Sequence, residues 1–441
     1  MRISIISANR ERVPDPILPV GPAIVAATLR AHAHDVRLLD LCQENVPDQA
    51  ILSHLAAWEP DLVGMSLRNL ENNQLIGHKS FLEEAERFVQ AVKKATSCPI
   101  LLGGSGYSLF PGEVLELLQV PYGLAGEAED SLPALVDCIE KGLPPDHVPG
   151  ACYLSGGRTV VKGVAKVRRF SGLPGPAYDL VDCPKYLTER AGIPVESKRG
   201  CDLTCSFCPE AADPEGARLR PPELTAAEIE RLVREVGTNS LFFTDGLFHY
   251  PPDHAMAVCR EMIRRRLDVR WYAGINPLGL SRDLLEAMKE AGCSGVGLGL
   301  DAATEGMLKS YRKGFTQEDI FRALNDLRAV GIPFMMFVLF GGPGETEASV
   351  WGALDFLGSV AHDDPLSISL GIRVYKGTAM EETARRESRI APDQNMLTPT
   401  YYLSQSLQES LMDRLDEYCE GRPNWFTART LMRRMQQGAG R

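Results

Sequence analysis

The sequence has no apolar run long enough to form a membrane-spanning helix. Its longest run, Ile332 to Phe340, falls well short of the roughly 20 residues that a bilayer requires. Nothing at the start resembles a signal peptide, because the chain passes directly from Met1 into a strand-like segment ending at Ser7. The formal net charge of −11 argues against a broad nucleic-acid surface. We therefore expect a cytoplasmic protein that binds neither membranes nor nucleic acids.

The sequence also lacks the even, regularly spaced cysteines of a disulfide framework. It has 11 cysteines, an odd number, of which only three fall in a motif, so a reducing compartment is expected. The scattered remainder predict core-filling thiols rather than a second metal centre. The length of 441 residues predicts two to three domains, and 44% hydrophobic residues are enough for a large core.

Three cysteines form the most informative motif: Cys201, Cys205 and Cys208, spaced C-x3-C-x2-C, with Phe207 before the last. Three thiolates at this spacing can each hold one iron of a cuboidal cluster. No fourth cysteine lies nearby, so one iron of a [4Fe-4S] cluster would stay open to a ligand that is not protein. The alternatives are buried free thiols or a structural zinc knuckle, but zinc usually takes a fourth close ligand and the nearest downstream histidine is His249.

At these cysteines the chain resembles the radical S-adenosylmethionine (radical SAM) enzymes. The resemblance implies that the open iron is chelated by the amino and carboxylate groups of S-adenosylmethionine. It also implies that an electron from the cluster, supplied by a flavodoxin- or ferredoxin-type donor, cleaves the sulfonium to a 5′-deoxyadenosyl radical. In such enzymes the cofactors carry the chemistry and the protein positions and shields them.

Residues 1–150 alternate short apolar strands with helices, which predicts an open, Rossmann-like parallel sheet binding ligands at its strand carboxyl ends. The loops at those ends resemble the cobalamin-binding domain that precedes many radical SAM modules. The resemblance places cobalamin contacts at Ser66, Leu67, Arg68, Asn69, Gly103, Gly104, Ser105, Gly106 and Glu127.

The Asp-x-His-x-x-Gly motif, whose histidine ligates cobalt in many cobalamin proteins, is missing from the chain. The resemblance therefore implies His-off cobalamin, and it places Arg68 beneath the corrin, where we count it among the catalytic residues. The alternative interpretation is that Arg68 pairs with a surface carboxylate such as Glu71. Binding and catalytic residues are enriched in strand-end loops, but these loops also contain residues without such a role, so the position of Arg68 is compatible with both interpretations.

Residues 151–190 contain glycines and prolines with little periodicity and predict a linker. Six strand–helix units over 191–380 predict a partial TIM barrel, with its chemistry at the strand carboxyl ends. The cluster cysteines follow its first strand. Residues 381–441 are amphipathic and predict a short helical cap over the barrel. The fold class is thus α/β, with a Rossmann-like domain followed by a partial (β/α)6 barrel.

The resemblance assigns S-adenosylmethionine contacts at later strand ends. Thr244 and Asp245 are two of these contacts; Asp245 is the candidate for the amino group, with an N-cap of the next helix as the alternative. Asp301 would reach the ribose. Lys313 would pair with the cofactor carboxylate, with a solvated surface lysine as the alternative. The remaining contacts are Phe207, Asn276 where relatives often carry arginine, Gly341 and Gly342 on the adenine side, and Arg373 on the sixth strand.

Together these features predict a cobalamin-dependent radical SAM enzyme that methylates an unactivated carbon of a small-molecule or peptide substrate. A cyclase or ring-rearranging enzyme with the same cofactors is the first alternative. A corrinoid-binding or redox-sensing protein without turnover is the second. A monomer or weak dimer is expected.

Overall fold

The computed structural model describes residues 1–12, 15–187, 192–361 and 363–438. Two units are distinguished, Met1–Asn72 with Lys79–Ile193, and Asn73–His78 with Pro194–Arg441. The boundary predicted between residues 190 and 191 lies outside the described residues. None of the described helices is both long and apolar enough to cross a lipid bilayer.

The first unit contains a seven-stranded sheet in the order β2-β1-β3-β4-β5-β6-β7. Its strands are β1 Arg2–Ser7, β2 Asp35–Asp40, β3 Leu62–Ser66, β4 Ile100–Gly103, β5 Tyr122–Leu124, β6 Ala151–Ser155 and β7 Arg158–Val161. Its helices are α1 Val20–Ala31, α2 Pro47–Ala56, α3 Leu82–Ala95, α4 Ser105–Leu109, α5 Pro111–Leu118 and α6 Leu132–Lys141. The first five strands pair in parallel, which confirms the predicted doubly wound architecture.

Strands β6 and β7 form an antiparallel hairpin on the edge of this sheet, inside the stretch predicted as a linker. Gly156 and Gly157 connect them, with φ values of 57° and 75°. Two consecutive positive φ values are the geometry of a tight hairpin turn, and a Gly-Gly pair favours it. The same pair had been interpreted only as a loop signal, so two strands were missed there.

Strand β1 shows how one face of the parallel sheet packs against helices. Ile3 and Ile5 are buried in one cluster with Leu29 of α1 and Leu135 of α6. Burying such side chains stabilises the fold by roughly 1.5–3 kcal/mol each. Helices α1 and α6 therefore cover one apolar face of the sheet.

The second unit contains a seven-stranded sheet in the order β18-β15-β14-β13-β12-β11-β8. The strands of this unit are β8 Ile193–Val195, β9 Lys198–Arg199, β10 Arg218–Leu219, β11 Ser240–Phe243, β12 Arg270–Ile275, β13 Cys293–Asp301, β14 Phe334–Phe340, β15 Leu366–Leu370, β16 Ile372–Arg373, β17 Tyr401–Tyr402 and β18 Trp425–Thr427. Its helices are α7 Pro222–Val236, α8 Pro252–Arg264, α9 Arg282–Glu290, α10 Glu305–Ser310, α11 Gln317–Val330, α12 Glu347–Val360, α13 Ala379–Arg386, α14 Leu411–Glu420 and α15 Ala428–Gly438. The pairings from β11 to β15, and of β15 with β18, are all parallel.

The seventh strand of this sheet, β18, comes from the stretch predicted as a short helical cap. It pairs with β15 through Leu366, Ser367 and Ile368. The sixth strand, on which Arg373 was predicted to lie, is also shorter than expected and ends at Leu370. It breaks at Gly371, where φ is 85°, and its remainder pairs with β17 in a separate small sheet. A strand of three residues is too short for a periodic pattern, which is why β18 was missed.

A buried carboxylate fixes this last strand between its flanking helices. Asp416 of α14, 5% exposed, accepts hydrogen bonds from the hydroxyl of Thr427 and from the Arg429 Nε at 2.8 Å. A buried charge is tolerated only when it is paired and hydrogen-bonded, as it is here. The tail is thus part of the barrel rather than a cover laid over it.

The two faces of the barrel sheet can be distinguished on β12. Trp271 packs against Phe243 and Phe248, and its indole N–H donates to the carbonyl oxygen of Ala291 at the end of α9. Trp271 therefore points toward the helices. Because side chains alternate along a strand, Tyr272 points to the opposite, inner face.

Candidate functional site

The three cysteines lie on one loop that follows β9 in the chain. Cys201, Cys205 and Cys208 are half-buried and carry free thiols. Ser206 fixes the loop on two sides, since its N–H donates to the Tyr311 carbonyl oxygen at 3.0 Å and its own carbonyl accepts from the Met380 N–H at 2.7 Å. The ring of Phe207 packs edge-on against Tyr311, with centroids 5.5 Å apart. The loop is therefore held by residues from distant parts of the second unit.

The buried surroundings of the cysteines favour uncharged thiols as long as no metal is bound to them. Burial raises the pKa of Cys208 to about 11 and also raises the pKa of Cys201. The Ser206 hydroxyl is buried and has no hydrogen-bond partner among the described residues. Within the same residues, no three histidine, cysteine or carboxylate side chains are grouped to ligate a single metal ion. A cuboidal cluster does not need such convergence, because each cysteine holds its own iron.

Lys313 is buried beside the cysteine loop, so the interpretation of a solvated surface lysine is wrong. The side chain is 5% exposed, and its Nζ lies 3.6 Å from the Cys205 Sγ. Burial alone would lower the pKa of Lys313, but the Asp301 carboxylate, 2.5 Å away, raises that pKa above its usual value. The ammonium therefore stays charged next to a predicted cluster ligand. Its pairing with the cofactor carboxylate stays a prediction.

Asp301 reaches Lys313 because the end of β13 is irregular. Its pairing with β14 shifts register between Gly299 and Asp301, and the backbone of Asp301 has a φ of 58°. Such bulges redirect a side chain at the end of a strand. The Asp301 side chain remains 24% exposed, so it keeps access to a ligand. Its predicted ribose contact is not tested by this geometry.

Asp245 is enclosed rather than open. Its carboxylate accepts hydrogen bonds from the Ser197 N–H at 2.8 Å, the Ser197 hydroxyl and the Lys198 N–H at 3.4 Å, and it is 7% exposed. Burial raises its pKa, which the Lys198 charge opposes. Asp245 caps no helix, because α8 begins at Pro252 with Pro251 at its N-cap, so the N-cap alternative is wrong. Its predicted contact with the S-adenosylmethionine amino group stays untested.

Thr244 and Asn276 are also engaged within the second unit. The Thr244 N–H and hydroxyl both donate to the Val195 carbonyl oxygen, at 2.8 and 3.1 Å. Asn276 is 1% exposed and its Oδ1 accepts from the Leu278 N–H at 3.0 Å, while its Nδ2 is buried without a partner in the described chain. Nearby His249 lies 2.9 Å from the Leu278 carbonyl oxygen, and burial lowers its pKa to about 4. The cofactor role predicted for Asn276 remains open.

The glycine loop after β14 is shaped by Glu345, a residue that sequence reasoning missed. Its carboxylate accepts from the N–H groups of Gly341 and Gly342, at 2.5 and 3.1 Å, and burial raises its pKa to about 7. The Tyr311 hydroxyl, which donates to the Leu339 carbonyl oxygen at 2.8 Å, also accepts from the Gly342 N–H at 3.1 Å. The signal was available, since a glutamate three residues after a strand-end glycine is well placed to accept from it. Both glycine N–H groups therefore already donate hydrogen bonds to the Glu345 carboxylate.

The Arg373 side chain is held by hydrogen bonds to backbone carbonyl oxygens. It is 6% exposed, and its guanidinium donates to the carbonyl oxygens of Val374 at 2.7 Å and Met396 at 2.8 Å. Its guanidinium lies over the Tyr375 ring at 5.1 Å from the centroid. These contacts connect β16 to the segment that precedes β17. Its predicted cofactor contact stays a prediction.

In the first unit, the structure brings the two predicted cobalamin loops together. The Leu67 N–H donates to the Gly103 carbonyl oxygen at 2.8 Å, and the Ser105 hydroxyl donates to the Arg68 carbonyl oxygen at 2.9 Å. Gly104 has a φ of 104°, and a Cβ there would lie 2.6 Å from the Leu67 oxygen. Only glycine permits this approach. Ser66, Asn69 and Gly106 belong to the same two loops; a Cβ at Gly106 would come within 3.0 Å of Asn69.

Arg68 is exposed at the end of β3, and no described carboxylate forms an ion pair with it. The Asn69 amide, in its better-satisfied orientation, accepts from its guanidinium at 3.1 Å. The alternative of a pair with Glu71 therefore gains no support. Glu127 is engaged elsewhere, because its carboxylate accepts from the Val167 N–H at 2.7 Å. Neither observation tests the predicted cobalamin contacts.

The inner face of the barrel sheet is apolar and partly open. Tyr272 stacks on Phe242, with ring centroids 6.0 Å apart at 15°. Glycines on β13 make room for these rings, since a Cβ at Gly297 would lie 3.0 Å from the Tyr272 hydroxyl and 3.2 Å from the Phe337 ring. Phe242, Tyr272 and Phe337 are half-buried, whereas the residues directly before and after each of them on its strand are buried.

Comparison with known proteins now adds to this geometry. Residues 6–136 match the model of the B12 binding domain, and residues 195–357 match that of the radical SAM superfamily. The second match contains the cysteine loop, Asp301 and Lys313, and the first contains the loops around Arg68 and Gly104. The chain is a cobalamin-dependent radical SAM enzyme. Its cofactors are a [4Fe-4S] cluster, S-adenosylmethionine and cobalamin.

The relatives of this radical SAM enzyme include methyltransferases and cyclases. Tryptophan 2-C-methyltransferase of Streptomyces laurentii is 25% identical, over 84% of this chain and 73% of the relative. The anaerobic magnesium-protoporphyrin IX monomethyl ester cyclase of Rubrivivax gelatinosus is 26% identical, over 75% of this chain and 60% of the relative. A structure of the methyltransferase TsrM from Kitasatospora setae, with tryptophan and a SAM analogue, has a TM-score of 0.78 at 26% identity, covering 87% of this chain and 76% of that one.

The residues present in this radical SAM enzyme fit its cofactors. Three free thiols share one loop with the Ser206 hydroxyl, which has no partner among the described residues, and the Lys313 ammonium would compensate the charge of a cluster-bound thiolate at Cys205. Such hydrogen bonds and charges are among the factors that set the reduction potential of a cluster. Gly103 and Gly104 keep solvent access at the end of β4, so backbone can approach a large flat ligand there.

Proposed function

We propose that this enzyme transfers a methyl group to an unactivated carbon in an apolar part of a small-molecule or peptide substrate. The observation that carries the proposal is the three-cysteine loop, which would leave one iron of a cluster without a protein ligand, in a chain that also has a B12 binding domain. A relative that matches 84% of this chain is named as a carbon methyltransferase. The cyclase among the relatives supplies the second candidate.

When bound, the cofactors supply an organic radical able to remove a hydrogen atom and a methyl group able to replace it. The task of the protein is to hold the substrate carbon in place and to exclude water. Lys313 and Asp301 hold opposite charges beside the cysteine loop, and Glu345 fixes the backbone of the adenine-side loop. These residues position ligands and exchange no proton in the proposal.

The inner face of the barrel favours an uncharged reacting group in the substrate. Phe242, Tyr272 and Phe337 present rings over the glycines of β13, without a charged side chain among them. A charged group placed against such a surface would lose hydration without gaining a partner. The tryptophan carried by the TsrM structure is an aromatic substrate of the same general kind. We therefore propose an aromatic or aliphatic carbon as the methyl acceptor.

Arg68 is proposed to lie beneath the corrin, where a fixed cation and the lack of a histidine keep the lower face of cobalt free of a strong ligand. Its exposure and the lack of a carboxylate partner among the described residues support the proposal. An absorption spectrum of the protein loaded with methylcobalamin tests it. A histidine-on spectrum would show that the lower face is occupied and that Arg68 has another role.

The overall function is tested by anaerobic reconstitution with iron, sulfide, cobalamin and S-adenosylmethionine carrying a deuterated methyl group. The candidate substrates are peptides encoded near the gene and metabolites made by the products of neighbouring genes. The electron donor in the assay is a flavodoxin or ferredoxin, a partner that we also propose. A product heavier by one labelled methyl group supports methyl transfer. A product of unchanged carbon count supports the cyclase. A protein that binds cobalamin but forms no 5′-deoxyadenosine under strong reductant would be a sensor, as in the second alternative.

Cys205→Ala tests the role of the cysteine loop in this function. We expect loss of the cluster, measured as iron and sulfide per chain, and at least a 100-fold fall in 5′-deoxyadenosine formation, with cobalamin still bound. The physical reason is that two thiolates cannot hold a cuboidal cluster at three corners. Cys98→Ser, which changes a thiol far from the motif, is the matched control. Retained cleavage in Cys205→Ala would refute the cluster assignment.

A further inference from the structure

An exposed carboxylate, Glu210, lies beside the cysteine loop; the charge of Lys198 acts on it, but within the described residues the two form no ion pair. Glu210 follows Cys208 closely and opens a short 3-10 helix, Glu210–Ala212. No described lysine, arginine or histidine forms an ion pair with it, and no described group donates a hydrogen bond to its side chain. The Glu210 carboxylate can therefore accept a hydrogen bond from a ligand.

The position of Glu210 is defined by contacts on two sides. Its Oε2 lies 2.6 Å from the point that a Cβ at Gly246 would occupy, so the carboxylate lies against the loop that follows β11. It is also close enough to Cys201 and Cys208 for its negative charge to act on both sulfurs. Glu210 therefore lies between two of the predicted cluster ligands and a strand end of the barrel.

The two charged groups nearest to Glu210 are already occupied. Asp245 is enclosed by hydrogen bonds from Ser197 and Lys198 and cannot turn toward a ligand without breaking them. The Lys198 ammonium donates to three carbonyl oxygens, those of Leu247, Phe248 at 3.1 Å and Tyr250 at 2.5 Å, which uses all of its N–H donors. Neither residue is left to serve a cofactor.

We propose that Glu210, rather than Asp245, accepts the hydrogen bond from the amino group of S-adenosylmethionine. The amino-acid part of that cofactor carries one cationic and one anionic group. The cysteine loop has a matching pair, since the Lys313 ammonium lies next to Cys205 and the Glu210 carboxylate lies near Cys201 and Cys208. Hydrogen bonds that involve a charged group are about twice as strong as neutral ones. The assignment rests on the proposed use of S-adenosylmethionine by this site.

The test compares S-adenosylmethionine with 5′-methylthioadenosine, which has the same nucleoside but no amino-acid part. Affinities are measured by equilibrium dialysis on protein loaded with its cluster, without substrate or turnover. Glu210→Gln should weaken S-adenosylmethionine binding by roughly 10- to 100-fold, the range expected for one charge-assisted hydrogen bond. Binding of 5′-methylthioadenosine should change by less than about twofold.

Two matched variants complete the experiment. Glu215→Gln removes the same charge further along the same loop and should leave both affinities unchanged. Asp245→Asn should also leave the S-adenosylmethionine affinity of the cluster-loaded fraction unchanged, although Asp245 lies nearby. The EPR spectrum of the reduced cluster should shift on addition of S-adenosylmethionine in the wild type, and the shift should need a higher concentration in Glu210→Gln.

Equal affinity of Glu210→Gln and wild type for S-adenosylmethionine would overturn the assignment, as would a loss of affinity caused by Asp245→Asn instead. A fall in the binding of both ligands would mean that Glu210 supports the fold of the loop, and it would also count against the proposal. These outcomes differ from a failure of the proposed methyl transfer, which would leave S-adenosylmethionine binding intact and change only the product.

Discussion

Asp245 and Asp301 follow two strands of one parallel sheet, yet they stand in opposite environments. Asp245 accepts three hydrogen bonds from Ser197 and Lys198 and is 7% exposed. Asp301 accepts one from Lys313 and keeps 24% of its side chain exposed. The first carboxylate is used by the fold, and the second remains accessible beside the cysteine loop.

The difference shows that a position at a strand end indicates where chemistry occurs but does not assign the group that performs it. Asp245 extends a regular strand end and turns back onto the segment that leads to Cys201. Asp301 lies at a register shift, and its positive φ turns its side chain toward Lys313. Availability to a ligand was decided by hydrogen bonds to residues distant in sequence.

The largest effect in this comparison is expected for stability. Asp245→Ala leaves the buried N–H groups of Ser197 and Lys198 without an acceptor, which should lower the free energy of unfolding by about 3 kcal/mol. Thermal unfolding of the cluster-free protein measures the change, with Asp301→Ala as the comparison, where a smaller loss is expected. An unchanged midpoint for Asp245→Ala would mean that its hydrogen bonds contribute little and that the contrast between the two carboxylates fails.

The next effect concerns the potential of the cluster. Asp301→Asn leaves the Lys313 ammonium without its counter-charge next to Cys205, so the reduced, more negative cluster is favoured. The reduction potential should rise by roughly 100 mV, equivalent to about 2 kcal/mol for one electron. A redox titration followed by EPR checks this shift. Asp245→Asn is the matched control, and an equal rise there would show that distance from the cysteines, rather than the Lys313 pair, sets the effect.

The smallest effect is a pH dependence of stability, which is expected from Glu345. Burial raises the pKa of Glu345 to about 7 in the folded protein, well above its value in an unfolded chain. Folding therefore binds a proton, and the stabilisation is lost as pH rises through 7. Between pH 6 and pH 7 the free energy of unfolding should fall by about 1 kcal/mol from this group. Denaturation at both pH values tests it; Glu345→Gln should remove that difference, and its persistence would assign the slope to another group.

The sequence predicted the parts of this molecule that depend on local pattern. The alternation of strands and helices indicated both sheets, and the spacing of Cys201, Cys205 and Cys208 indicated the cluster loop. The capping box that begins α11 is equally local, because its two hydrogen bonds join Thr316 and Asp319, three residues apart. These features are determined by neighbours in the chain.

The parts that sequence reasoning missed depend on partners far away in the chain. Nothing near Asp245 indicates that Ser197 encloses it, and nothing near Lys313 indicates that it is buried against Cys205. The hairpin at Gly156 and the strand at Trp425 were missed for a different reason, since both elements are too short for a periodic pattern to emerge. Glu345 could have been found from its spacing to the strand-end glycines.

The strand β18 has a consequence for how the protein is made. A ribosome releases the cysteine loop long before residues 425–427, and until these residues emerge β15 is a bare edge with unpaired backbone groups. Such edges pair readily with other chains. The barrel is thus completed late in synthesis, so stable iron insertion should follow translation, and overproduced protein should aggregate when chaperones are scarce.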